Sequence, residues 1–98
     1  MNTSTLKIDG DLTVYAVHDL KTQFMSSLSS NQHLQLDLSE VSEVDGAGLQ
    51  LIASARLHAK SHGQQITIVR PSPVVHEALM LTGLIHDIDI DQNNPKGH

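Results

Sequence analysis

From Thr5 to Asp9 the chain alternates polar and apolar positions, with Leu6 and Ile8 as the apolar members. Gly10-Asp11 supplies turn residues and Leu12-Thr13-Val14-Tyr15 resumes a β-prone run, which predicts a two-stranded antiparallel opening. At Val17 the period changes. Val17, Leu20, Phe24 and Leu28 fall at helical spacing, with His18, Lys21, Gln23 and Ser27 between them, so an amphipathic helix is expected before the polar loop Ser29-Ser30-Asn31-Gln32. Leu34, Leu36 and Leu38 alternate with Gln35 and Asp37, the pattern of a strand with one buried face.

After the short connection Ser39 to Val44, Asp45 is placed to cap a second helix through its carboxylate, and Gly63 to end it. Gly48, Leu51, Ile52, Ala55 and Ala59 form one apolar stripe of that helix; Leu49, Ala53 and Leu57 form a neighbouring one. Gln50, Ser54, His58 and Ser61 make its polar face. So broad an apolar surface is expected under a sheet and flanking helices, the second stripe serving either packing or a partner. Ile66-Thr67-Ile68-Val69 reads as a β-branched strand, and Ser72-Pro73 as the start of a third helix that carries Val75, Ala78, Leu79 and Thr82 and closes at Gly83. Ile88 and Ile90 predict a brief edge strand. The order ββαβαβα implies an α/β single domain: a central mixed β-sheet, largely parallel after an N-terminal hairpin, packed by three to four helices. The folded unit is expected over 1–91, with 92–98 as a polar C-terminal tail.

Composition narrows the function. With 98 residues the chain fits one domain, and the lack of cysteine excludes disulfides, thiolate metal sites and thiol catalysis. Six Lys/Arg against eleven Asp/Glu give a net charge of -5, which leaves no cationic face for a nucleic acid backbone. Tyr15 and Phe24 are the only aromatics, so no base-stacking platform is expected either. The start of the chain lacks a basic segment followed by an apolar run, and no stretch reaches the ~20 apolar residues of a membrane span. A cytoplasmic protein without direct membrane insertion is expected.

Candidate chemistry is sparse. His58 and His62 stand four apart on the second helix, but no HExxH motif supplies further ligands, and a solvated face is the expectation. Asp87, Asp89 and Asp91 alternate as in a calcium loop; Gln92 stands where the turn glycine belongs and no acid closes the loop. Neither a GxSxG elbow nor a GxxxxGK[ST] loop is present. No catalytic residue, metal or cofactor is expected; the chain reads as a non-enzyme. The segment that stands apart is Val44-Asp45-Gly46-Ala47-Gly48-Leu49, because two glycines in a first helical turn weaken the helix and leave the backbone approachable. Turn geometry accounts for Asp45 and Gly48 better than for Gly46, and a docking surface is the other reading.

The run Leu36-Asp37-Leu38-Ser39-Glu40-Val41-Ser42-Glu43-Val44-Asp45-Gly46-Ala47-Gly48-Leu49 resembles the signature of STAS domains, found in bacterial anti-sigma factor antagonists. Gly10-Asp11-Leu12-Thr13-Val14, Ser72-Pro73-Val74-Val75 and Leu81-Thr82-Gly83-Leu84 extend the likeness over nearly the whole chain. The resemblance implies a partner, an anti-sigma factor with serine kinase activity, that phosphorylates a Ser or Thr after the signature aspartate and is then released. Here that position is Gly46, followed by Ala47, so no phosphoacceptor stands at the expected place. Ser39 and Ser42 precede the aspartate and do not inherit the role. The implied partner surface is Ser42, Glu43, Asp45, Gly46, Ala47 and Gly48, with Leu49 and Leu57 as apolar contacts. The same stretch is also similar to the small STAS subunit of bacterial lipid-transport ABC complexes, which implies a transporter ATPase as the alternative partner.

Overall fold

The structure, a computed structural model, describes residues 2–83 and 90–91. Its elements are β1 (Thr3–Lys7), α1 (Val17–Ser30), β2 (His33–Asp37), α2 (Gly46–Ser61), β3 (Gln65–Val69), α3 (Pro73–Thr82) and β4 (Ile90–Asp91). The strands form one sheet in the order β1-β2-β3-β4, and every pairing is parallel. Each strand reaches the next through a crossover, helical in all three cases. Right-handed crossovers that always step in the same direction place all three helices on one face of the sheet.

Burial agrees with that topology. Leu34 and Leu36 of β2 and Ile66 and Ile68 of β3 join one apolar core with Leu20, Phe24 and Leu28 of α1, Ile52, Ala55 and Ala59 of α2, and Val75 and Leu79 of α3. The opposite face carries Thr5, Lys7, His33, Gln35, Asp37 and Thr67 in register. Polar rungs cross it: Thr5 Oγ1 donates to Gln35 Oε1 (3.1 Å), and His33 Nε2 and Thr67 Oγ1 share a hydrogen bond of 2.7 Å. A parallel sheet covered on both faces reads as continuous apolar runs; this one-sided cover explains why β2 alternates instead.

The single-domain α/β architecture is as expected, but the opening differs. The chain does not turn back at Gly10-Asp11. Ile8 N–H donates to Asp37 O (3.0 Å), and the segment then runs on until Leu12 forms a parallel bridge with Val44. Leu12 is fully buried, and its N–H and C=O are taken by Glu43 O and the Asp45 N–H. Burying that leucine between β2 and α2 outweighs the local preference of a Gly-Asp pair for a hairpin. Thr13 to Ala16 form a turn into α1 instead of a second strand.

The helix boundaries follow local chemistry. Ser72 Oγ accepts from Val75 N–H, Pro73 sits in the first turn of α3, and Gly83 ends it at φ 79°. Gly63 follows α2 at φ 71°, the left-handed region open to glycine. Ile90 belongs to the short edge strand β4 as expected. Ile88, the Asp87 and Asp89 carboxylates and the tail 92–98 lie outside the described residues, and among the described residues no helix is long and apolar enough to cross a membrane.

Candidate functional site

The carboxyl ends of the parallel strands place Ser42–Gly48 beside Leu12–Tyr15. Asp45 is the hub. Its backbone is extended, its N–H donates to Leu12 O (3.2 Å), and its side chain spans two segments. Oδ1 accepts from Gly48 N–H and Oδ2 from Val14 N–H, each at 3.0 Å. The Val14 bond first, then those from Gly48 and Ala47, hold the Asp45 carboxyl below the usual carboxylate range, against a smaller upward push from burial. One carboxylate thus caps α2 and ties the Leu12–Tyr15 turn to it.

The two glycines of this turn differ in kind. A Cβ on Gly48 would overlap the Leu12 carbonyl oxygen and lie 2.6 Å from its carbonyl carbon, so the backbones meet there only because position 48 lacks a side chain. At Gly46 a Cβ would meet nothing within 4 Å. Gly46 is exposed at the first position of α2, with open space where a side chain would stand. Gly48 is thereby explained by packing, and Gly46 is not.

The expected surface residues divide. Ser42, Glu43, Asp45 and Gly46 gather around the turn, and Ser42 Oγ donates to Asp11 Oδ1 at 3.3 Å. Ala47 is half-buried and Gly48 buried. Leu49, expected as an apolar contact, is only 5% exposed and belongs to the core. Leu57 is 60% exposed, but eleven residues beyond Gly46 it lies ~16 Å along the helix axis and outside the turn. The second stripe of α2 therefore serves packing at Leu49 and faces solvent at Leu57.

What the sequence reading missed are the apolar members of this surface. Val14 is 54% exposed and Tyr15 95%, and Tyr15 lines a shallow cavity of about 680 Å³ together with Asp11, Thr13, Ser42, Asp45 and Val74. Leu12-Thr13-Val14-Tyr15 carries a strand-like pattern; its one aromatic, Tyr15, two residues before α1, is the available signal.

Below the turn, Arg70 pairs with the buried Asp37 at the end of β2, and Asp37 also accepts from Ser39 N–H at 3.0 Å. Burial pushes the Asp37 carboxyl up, but the Arg70 hydrogen bond, the Ser39 bonds and the Arg70 charge together outweigh it and hold it at about 2. Arg70 adopts a left-handed backbone (φ 48°), which costs energy in a non-glycine residue and is held here by this pair and by Leu38, whose carbonyl accepts from Ser72 N–H (3.1 Å). The pair fixes the base of the loop that carries the turn.

His58 and His62 stack on the other half of α2 with ring centroids 4.3 Å apart, and His62 Nδ1 donates to the His58 carbonyl (2.9 Å). Among the described residues, no group of three or more His, Asp or Glu side chains is placed to hold a metal.

Solved structures share this fold. TM1081 from Thermotoga maritima, whose proposed class is anti-sigma factor antagonist, superposes with a TM-score of 0.81 at 24% identity, over 92% of this chain and 80% of that one. The anti-sigma factor antagonist SpoIIAA in its unphosphorylated form gives 0.74 at 16% identity, over 93% and 81%. The phosphorylated form of SpoIIAA, a Bacillus cell fate determinant, gives 0.69 at 15% identity, over 93% and 84%. At such identities the likeness establishes the fold. The family model described as "Mlab, STAS domain" matches residues 1–89, nearly the whole chain, and this protein belongs to the STAS family.

Proposed function

We propose that this chain is a non-catalytic, cytoplasmic protein-binding module of the anti-sigma factor antagonist kind, which docks a partner through the turn Ser42–Gly48. The observation that carries this reading is Gly46: an exposed first helical residue with empty space above it, beside a carboxylate already committed to holding the turn. Val14 and Tyr15 add apolar area next to it. The fold shared with SpoIIAA, known in phosphorylated and unphosphorylated forms, supports the comparison. Neither Gly46 nor Ala47 carries a hydroxyl, so the partner, an anti-sigma factor or serine kinase-like protein, binds a surface that phosphate cannot switch at this position.

A second reading rests on the family model bearing the Mlab description. In it the same turn seats the chain on the ATPase of a lipid-transport ABC complex.

Affinity capture from native cells with wild-type and Gly46→Glu chains tests the surface. Glu at a first helical position has space and a favourable helix dipole, so the fold is kept while charge and bulk enter the interface. The partner is expected with the wild-type chain and depleted with the variant; equal recovery of the same partner rules the surface out. Gly46→Ser separates the readings. With ATP and a kinase-type partner it becomes phosphorylated and dissociates, whereas a transporter ATPase leaves it unmodified.

A further inference from the structure

At the opposite end of the sheet, where β2 and β3 begin and α2 ends, lies a cavity of about 530 Å³ lined by Gln32, His33, Arg56, Lys60, Gly63 and their neighbours. That volume falls in the range of small-molecule sites. Among the described residues no Asp or Glu lines it, in a chain with eleven such acids and a net charge of -5. The ion pairs among the described residues engage Lys7 with Glu40 and Arg70 with Asp37. Arg56 and Lys60 have no partner among the described residues, and Arg56 is half-buried. Four residues apart on α2, they project to the same side of the helix.

Both cationic heads keep contact with solvent and no carboxylate among the described residues neutralises them, so a bound anion gains two charge-assisted partners without breaking an ion pair. We propose that this cavity binds the phosphomonoester group of a small organic molecule. The planar fork of Arg56 matches two phosphate oxygens, and Lys60 adds a second charge toward a group that is close to dianionic at neutral pH. Two of the last carbonyls of α2 are already engaged by the backbone: Ala59 O accepts from His62 and Gln64 N–H, and Lys60 O from Gly63 N–H. Gln32, whose side chain is exposed and makes no hydrogen bond among the described residues, is placed to meet the neutral part of the ligand. Gly63, free of a Cβ, leaves the mouth open on its side.

The same headgroup occurs on soluble metabolites and on lipids, so two probes are used with the full chain. Glycerol 3-phosphate is titrated into isotope-labelled protein against glycerol and sodium chloride at matched ionic strength, and amide shifts are followed by NMR. Vesicles of phosphatidylcholine with and without phosphatidic acid are cosedimented with the protein. Saturable shifts clustered at Gln32, His33, Arg56, Lys60 and Gly63, weakened at least tenfold in Arg56→Gln/Lys60→Gln, support the site with a soluble ligand. Sedimentation that needs phosphatidic acid and is lost in the same variant supports it with a lipid headgroup. Both side chains reach solvent, so the variant is expected to keep the wild-type melting temperature. Shifts no larger than the salt control together with no vesicle binding overturn the proposal, as does binding that the double variant retains.

Discussion

The two ends of α2 are built by different means. Its N-terminal end is assembled from distant segments: Asp45 bonds Val14 as well as Gly48, Leu12 bridges Val44, and Gly48 lets two backbones touch. Its C-terminal end relies mostly on neighbours in sequence, with His62 and Gly63 N–H groups returning to Ala59 and Lys60 carbonyls. Gln64 adds a longer reach there, its amide donating to the carbonyls of Leu28 and Asn31. An end made from tertiary contacts tolerates few changes in its frame, yet it leaves one position, Gly46, entirely unconstrained. That combination of a rigid frame and a free position is what an interaction surface requires.

The contrast is most sharply broken at Gly48. Gly48→Ala forces the α2 backbone from Leu12 and is expected to cost ~3 kcal/mol, read as a lower urea midpoint with unchanged slope. Asp45→Ala removes the cap and the tie to Val14 together, and a fall of ~5 °C in melting temperature is expected. Gly63→Ala, at the locally built end, places a Cβ at φ 71° and is expected to cost ~1 kcal/mol without disturbing the turn amides in NMR. Gly46→Ala is expected to be the mildest, stabilising by no more than ~0.5 kcal/mol, because it adds helix propensity in open space.

Acid separates the ends in a second way. The folded Asp37 carboxyl is lowered from 3.8 to about 2, so its contribution is fully present above the unfolded value and is lost as pH falls through that interval. Asp45 is shifted in the same direction. Melting temperature is therefore expected to drop as pH falls from 3.8 to about 2, and the drop should be shallower in Asp37→Asn, which starts less stable at neutral pH.

Most of the fold was legible because its strands and helices obey local rules. The alternation in Leu34–Leu38, the Ser72-Pro73 start of α3 and the glycines at 63 and 83 all stand where their chemistry put them. The opening was not legible. Gly10-Asp11 carries hairpin chemistry, and only the burial of Leu12 against α2 decides that the chain runs on in parallel. The candidate site was half legible. Asp45 declared itself as a cap, but its second bond, to Val14, joins residues 31 apart and leaves no periodic trace. Leu49 and Leu57 belong to one stripe in sequence, and packing buries the first while leaving the second in solvent.

The central claim is that the turn at the N-terminal end of α2 meets the partner and that Gly46 is its unconstrained centre. Titration calorimetry of the captured partner against wild-type and Gly46→Glu chains, after their melting temperatures have been matched, tests it most directly. The account predicts at least a tenfold loss of affinity, ~1.4 kcal/mol, with stability unchanged. Equal affinity for the two chains would contradict it.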